Sequence, residues 1–389
     1  MSTYPILTIG FLTPYSGIYP FFSQHLITGW LLGMGLDPAR QRTIRFIPEF
    51  TNMGGIKASE EAARKLLFFN RVDILSGLIS YKSVPDLIPL IEKEKRPAFF
   101  FDMGEYVPHF SYLSPDVFYA SHQLWQSQYA LGHWAQSTWG NGGHMIMPVY
   151  EAGYHLNSTF QQGVAAAGGG SLQLTVLPFD QQDPHKMELD NIFAGWKKER
   201  PAYVHAIFCG SMGLRFLQQW VQSGLHKEVP LLVHEAMVYD NILEDLKQVD
   251  LELYTSRSWI KEDESRANQV FVKQFEKLAQ QPANIYALMG YEAGLVWKEL
   301  LPHAQKKDWD KVKQQLRTEV IQGPRGEKNF YPLSGFALPS SNILKITTNG
   351  NNIRKIILDQ GKGMRFDAKE FKVIHDESVS GWQNPFLCI

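Results

Sequence analysis

At 389 residues the chain is longer than a single hydrophobic core usually grows, which favours two domains over one. Its 38 lysines and arginines nearly balance 39 aspartates and glutamates, so no basic surplus draws it onto nucleic acid or anionic lipid. No stretch approaches the roughly 20 apolar residues of a membrane span, so no stable membrane insertion is expected, and Cys209 and Cys388 follow no metal-ligand spacing and form at most one bridge.

The chain begins Met1-Ser2-Thr3-Tyr4-Pro5 and passes directly into ILTIGFL, without the basic start and small-residue cleavage site of a secretory signal. It reads either as a cytosolic protein or as an exported one whose signal has been removed. Apolar runs of strand length fall at residues 6–12, 44–49, 74–77, 98–101, 144–149, 172–178, 203–208 and 231–234. Helical periodicity occupies residues 22–33, 58–69, 84–94, 125–138, 157–167, 214–223 and 262–279. Strands alternating with helices predict an α/β fold with parallel, doubly wound sheets and right-handed crossovers.

The alternation occurs twice, over roughly the first 120 residues and again from about residue 122 to 251. A helix-rich segment, 262–315, then leads to GPRGEKNFYP, where Arg325 reads as part of a turn. Two strand-like runs, NILKITTNG and NIRKIILDQ, meet at Asn349-Gly350, a pair suited to a hairpin. Later segments separate the ends of the two series, so the domains are expected to be discontinuous, with several crossings between them. No internal repeat and no low-complexity tract interrupts this pattern.

In open parallel sheets, ligands sit beyond the carboxyl ends of the strands, where turns and helix starts present hydroxyls and backbone N–H groups. The turns in question are TPYSGIY, SGLISYKS, DMGEY, YEAGYH, CGSMG and HEAM. Ser16 and Ser80, beside helix starts, suit a carboxylate or amide oxygen, and Tyr15 and Tyr154 offer apolar area with a polar tip. Plainer roles stand beside these. Ser80 and Ser83 also suit capping of the helix from residue 84, Asp102 a turn cap, Glu235 a surface position and the two tyrosines the rim of a core. His122, His155 and His234 read as structural, since no pair has helical metal spacing and no cysteine supports them; neither metal nor cofactor is expected. Catalysis is disfavoured: GSMG lacks the Gly-x-Ser-x-Gly of a nucleophile elbow, and MGGIKAS lacks the lysine and glycine spacing of nucleotide loops.

Taken in order, IGFLTPYSG, PEFTNMGGIKASEEAARKLL, SGLIS with VPDLIPLIEKEKRP, GYHLNSTFQQGVAAAGGG and ANIYALMGYEAGLVWKEL followed by GPRGEKNFYP resemble the branched-chain amino-acid type (type I) of periplasmic binding protein. These are substrate-binding subunits of ABC importers. The resemblance spans roughly residues 5 to 335, and the ending FDAKEFKVIHDESVSGWQNPFLCI looks more like the amide-sensor and urea-type branches. It implies two lobes joined by three crossovers that close on a ligand: residues 1–121 with 254–333 as lobe 1, and 122–253 with 334–389 as lobe 2. Carried over by position, the pocket would take Tyr15, Ser16, Leu78, Ser80, Asp102 and Gly104 from lobe 1, and Tyr154, Gly210, Ser211 and Glu235 from lobe 2. Tyr154 matches the aromatic before the second-lobe helix, and Glu235 the acid that holds the ligand amine in amino-acid binders. The implied function is capture of a small polar or amphipathic molecule and delivery to an ABC permease from outside the cytoplasmic membrane. A cytosolic sensor that signals to a partner protein is the alternative.

The chain departs from that pattern where relatives carry small residues and a threonine, because here the residues are Asp102-Met103-Gly104-Glu105. Two carboxylates near a carboxylate subsite would repel an anionic ligand by several kcal/mol where solvation is poor. A neutral amide, a polyol or a cationic group fits better than an ordinary branched-chain amino acid.

Overall fold

The computed structural model describes residues 5–17, 19–180, 182, 183, 186–331 and 341–377. In chain order the elements are β1 (Leu7–Thr13), α1 (Phe22–Gly33), β2 (Ile44–Phe50), α2 (Ile56–Arg64), β3 (Ile74–Leu78), α3 (Val84–Glu94), β4 (Ala98–Asp102), β5 (Val117–Ser121), α4 (Leu124–Trp139), β6 (Gly143–Pro148), α5 (Leu156–Ala166), β7 (Gln173–Leu177), α6 (Asp190–Lys198), β8 (Tyr203–Ala206), α7 (Gly210–Ser223), β9 (Leu231–Val233), α8 (Asp240–Leu246), β10 (Leu251–Arg257), α9 (Arg266–Ala279), α10 (Ile285–Gln305), α11 (Trp309–Thr318), β11 (Ile321–Gly323), β12 (Gly326–Lys328), β13 (Asn342–Asn349), β14 (Asn352–Gln360) and α12 (Ala368–Glu377).

The unit from β3 to β4 shows how the sequence builds its repeat. Both strands are buried at every position, as a central parallel strand covered on two faces requires. Between them α3 has Pro85 in its first turn, where a missing N–H costs no hydrogen bond, and it stops at Lys95, which turns the chain with φ +56°. The chain then returns through Arg96-Pro97 into β4.

One sheet has the order β2-β1-β3-β4-β5, all parallel. The second runs β7-β6-β8-β9-β10, the same winding with β6 in the place of β1, and is extended by antiparallel β13 and β14. Each sheet therefore reverses its strand order at β1/β3 or β6/β8, the switch points where doubly wound folds open crevices. The hairpin at Asn349-Gly350 joins β13 to β14, with Gly350 at φ +54° and Asn351 at φ +79°. β10 stays paired with β13 through Arg257, past the second crossing expected at 253/254. The third, expected at 333/334, lies outside the described residues, as does Cys388.

Close helix contacts fix both lobes in a similar way. A Cβ on Gly29 of α1 would lie 2.1 Å from the Ala287 carbonyl oxygen of α10, and one on Gly290 2.1 Å from that of Leu26. In the second lobe, Gly132 of α4 and Gly163 of α5 meet the Phe160 and Tyr129 carbonyls at the same 2.1 Å. Trp30, Phe99, Phe101 and Trp297 fill the first core, and Phe193, Trp196, Phe216 and Trp220 the second. A third cluster joins Val107 of the β4–β5 loop, Trp125 and Tyr129 of α4, and Met364, Phe371 and Ile374 from the segment containing α12. Gln126 holds that segment through two bonds, accepting from the Met364 N–H at 2.8 Å and donating to its carbonyl at 2.9 Å. Among the described residues no helix is long and apolar enough to cross a membrane.

Candidate functional site: the seam between two sheets

The loops beyond β4 and β6 bond directly across the seam. The His155 N–H donates to the Glu105 carbonyl at 2.9 Å, and the Val107 N–H donates to His155 Nδ1 at 3.1 Å. Tyr154 packs edge-on against Tyr106, with ring centres 5.7 Å apart. Gly104 allows this loop its course, since it holds φ +78° and a Cβ there would lie 2.5 Å from Gln123 Cα.

On the first-lobe wall Ser80 is fully buried and caps a short 3₁₀ turn, its Oγ accepting from the Lys82 N–H at 3.3 Å. Ser83 caps nothing; it donates to the Gly54 carbonyl at 3.1 Å. Ser16 is buried and accepts from the Tyr19 N–H at 2.7 Å, which sets the course of the turn after β1. Leu78 lies in the core, whereas Tyr15, 63 % exposed, stands at the rim.

Asp102 is fully buried at the end of β4, with Oδ2 accepting from Ser121 Oγ at 2.8 Å. Burial, and then the charge of Glu105, push its carboxyl well above the usual range, while Ser121 and the Gly104 and Tyr81 N–H groups pull the other way. Burial likewise raises Glu105 to about 7. The Ser80 hydroxyl lies near enough to draw Glu105 down, but neither Glu105 oxygen has a hydrogen-bond partner among the described residues.

The hinge side is a chain of compensated charges. Arg325, in the β11–β12 turn, grips Glu292 of α10 with three bonds, from Nε at 3.0 and 3.2 Å and from Nη2 at 2.5 Å. Its other nitrogen faces His122 Nδ1 at 3.1 Å, and His122 Nε2 faces Glu235 Oε2 at 3.2 Å. Since Arg325 can only donate, this arrangement assigns a neutral His122 protonated on Nε2. Arg257, at the end of β10, lies 3.7 Å from the other Glu235 oxygen. Burial raises the Glu235 carboxyl, but His122 and Arg257 outweigh it and hold it below the usual range. Arg325 thus does more than occupy a turn, because its guanidinium ties the hairpin to the first crossing.

Tyr19, Tyr239 and Tyr286 bring three elements together, with Tyr19 centred 5.9 Å from Tyr239 and 5.7 Å from Tyr286. They border a cavity of about 370 Å³ that also touches His25, Arg257 and Trp259. Its size falls in the ordinary range for small-molecule sites, roughly 300–1,000 Å³. Tyr286 is raised by burial and then by the nearby Cys209 and Glu105, so the cavity wall and the acid of the β4–β5 loop share one region. From the second lobe, half-buried Gly210 opens α7 with φ +53°, and Ser211 is exposed beside it. Among the described residues no group of histidine, cysteine and acid side chains is arranged to hold a metal.

The strand-end rule missed three contributors. Arg257 ends a strand that the sequence had not revealed, and Tyr286 stands at a helix start with no strand before it. Tyr19 lies in the quoted turn TPYSGIY, but nothing local distinguishes it from Tyr15.

Residues 6–351 match the family model described as periplasmic binding protein. The chain belongs to that family. No curated protein matches it in sequence. Among solved structures, the binding protein is similar to an ABC transporter substrate-binding protein from Sphaerobacter thermophilus, at 19% identity over 94% of this chain and 100% of that one, TM-score 0.79. It is also similar to a solute-binding protein of an ABC transporter from Rhodopseudomonas palustris in complex with 3,4-dihydroxybenzoic acid, at 17% identity over 94% and 99%, TM-score 0.74. A leucine-binding protein from Thermotoga maritima shares the fold at 14% identity over 90% and 98%, TM-score 0.67. The binding protein thus has the two doubly wound lobes that its sequence predicts.

Proposed function

We propose that this binding protein captures a small organic ligand between its lobes and presents the closed form to an ABC permease, working outside the cytoplasmic membrane without chemically changing the ligand. Among the described residues, one lobe comprises those up to 121 with those from 258 to 331, and the other comprises the remainder; they move about three crossings. The observation that carries the reading is the seam: the carboxyl ends of two parallel sheets face each other, bonded from His155 to Glu105 and bordered by Tyr19, Tyr239 and Tyr286. Tyrosine faces suit a small ligand with an apolar body, and polar tips orient it. Tyr154 and Glu235 join the site from the second lobe, with Ser80, Asp102 and Gly104 opposite.

A thermal-shift panel of amino acids, amides, polyamines, sugars and aromatic compounds, followed by small-angle scattering with each hit, tests the reading. A binder is expected to raise the thermal midpoint and reduce the radius of gyration. A saturating binder that leaves the radius unchanged would overturn closure, and a panel without any binder would overturn capture of these classes.

A further inference from the structure

Among the buried acids of the hinge and seam are two pairs that differ in their surroundings. Glu292 has Arg325 and Lys328, and Glu235 has His122 and Arg257. Asp102 and Glu105 have no cation within ion-pair distance among the described residues, although Asp102 is fully buried and Glu105 is 6 % exposed. Asp102 at least accepts from Ser121. Among the described residues both Glu105 oxygens and the Tyr81 hydroxyl lack hydrogen-bond partners, the nearby Ser80 hydroxyl only drawing the Glu105 carboxyl down. A buried carboxylate left in this state is costly, and a site that holds one is incomplete until a donor arrives.

Position supports the same conclusion. Glu105 follows β4 at the carboxyl edge of its sheet, and its backbone carbonyl already receives a bond from His155 of the opposite lobe. Its charge helps to raise Tyr286, on the cavity wall, and Tyr81. A ligand group seated against Glu105 would therefore touch the seam itself, at the bond from His155.

We infer that Glu105, with Asp102 and Tyr81 beside it, is the subsite for a cationic nitrogen group of the ligand, such as an amidinium, guanidinium or ammonium. The inference rests on capture between the lobes and adds the charge and placement of the ligand head group. Such a group supplies several N–H donors and the missing positive charge together, and an amidinium matches a carboxylate with two parallel bonds. A carboxylate in the same place would meet two acids that have no cation within ion-pair distance among the described residues, Lys82 lying instead over the Tyr106 ring. Binding favours the ionised form of Glu105, so affinity for a cation should rise as pH passes through about 7.

Three probes with one ring and different head groups test this in the full-length protein: benzamidine, benzamide and benzoate, each titrated calorimetrically at pH 8. Benzamidine is expected to bind at least tenfold more tightly than benzoate, with benzamide between. Glu105→Gln should weaken benzamidine at least tenfold while benzoate does not weaken. Should Glu105→Gln fail to fold, the wild-type pH profile decides, because benzamidine affinity must increase between pH 6 and pH 8 while that of benzamide does not. Benzoate binding as tightly as benzamidine, equal benzamidine affinity in wild type and Glu105→Gln, a flat pH profile, or no binding by any probe would each overturn the subsite. Closure on some other ligand in the broader panel would leave the capture reading standing.

Discussion

His122 Nε2 lies 3.2 Å from Glu235 Oε2, joining the first residue after β5 to the turn after β9. Both side chains are buried, and Arg325 and Arg257 complete the chain at either end. Removing one member leaves buried charge uncompensated, which costs about 3–5 kcal/mol. Glu235→Ala is therefore expected to lower the denaturation midpoint strongly at pH 7. An unchanged midpoint would show that the chain of charges contributes nothing net to stability.

The same pair sets a response to acid. Burial holds His122 below its ordinary 6.5, and His122, through its hydrogen bond, together with Arg257 holds Glu235 below 4.5. The folded state thus binds fewer protons than the unfolded chain, so the stability is present above those ordinary values and is lost as pH falls below them. Chemical denaturation between pH 7 and 4 should show this loss. His122→Asn should flatten the part that begins near 6.5.

Glu105 behaves in the opposite sense in the empty protein. Its folded value of about 7 lies above the ordinary 4.5, so its contribution is present below 4.5 and is lost as pH rises through about 7. Glu105→Gln should raise the thermal midpoint of the ligand-free protein at pH 8 by a few degrees and change it little at pH 4. A lower midpoint at pH 8 would contradict the burden assigned to this carboxylate.

Gly104→Ala combines an unfavourable backbone angle with a backbone collision, since the new Cβ would lie 2.5 Å from Gln123 Cα. A loss of about 2 kcal/mol or more is expected from strain and displacement together. Gly140 has a similar φ of +72° but open space around it, so Gly140→Ala should cost only about 1 kcal/mol. Denaturant midpoints of the two variants separate collision from strain, and equal midpoints would rule the collision out.

The segment containing α12 closes over the seam through three histidines: His375 lies 4.6 Å from His109 and 4.7 Å from His155, ring centre to ring centre. His155 also faces Lys82 and the Tyr106 ring, while His375 faces the Val107 and Pro108 backbone and Asp376. Burial, then neighbouring positive charge, holds His155 well below 6.5 and His375 below it. Acidification below 6.5 should therefore loosen this contact. Hydrogen exchange in residues 107–110 and 368–377, corrected for intrinsic rates, should quicken between pH 7 and 5, and less so in His375→Gln. Unchanged protection in wild type would dissociate the histidines from acid sensitivity.

Much of the architecture is local information. Runs such as those of β3 and β4 are mostly apolar because both faces are covered and every position is buried, and α3 carries its own start and stop in Pro85 and Lys95. The elements that escaped are weaker in this sense. β10 alternates Leu251-Glu252-Leu253-Tyr254 and ends in Thr255-Ser256-Arg257, whose burial depends on β13, more than 80 residues later. Val117–Ser121 and Asp240–Leu246 are short segments between stronger neighbours.

For the site, the turns after the strands were legible, and Asp102 and Glu105 already argued against an anionic head group. Which acids are neutralised was not. Glu235 meets His122 and Arg257, and Glu292 meets Arg325, only because separate crossings bring distant residues together, whereas Glu105 receives no such partner among the described residues. Propensity and hydrophobic period act over a few residues and write themselves into the sequence, but compensation of buried charge depends on distance in space, which the chain acquires only when its two sheets meet.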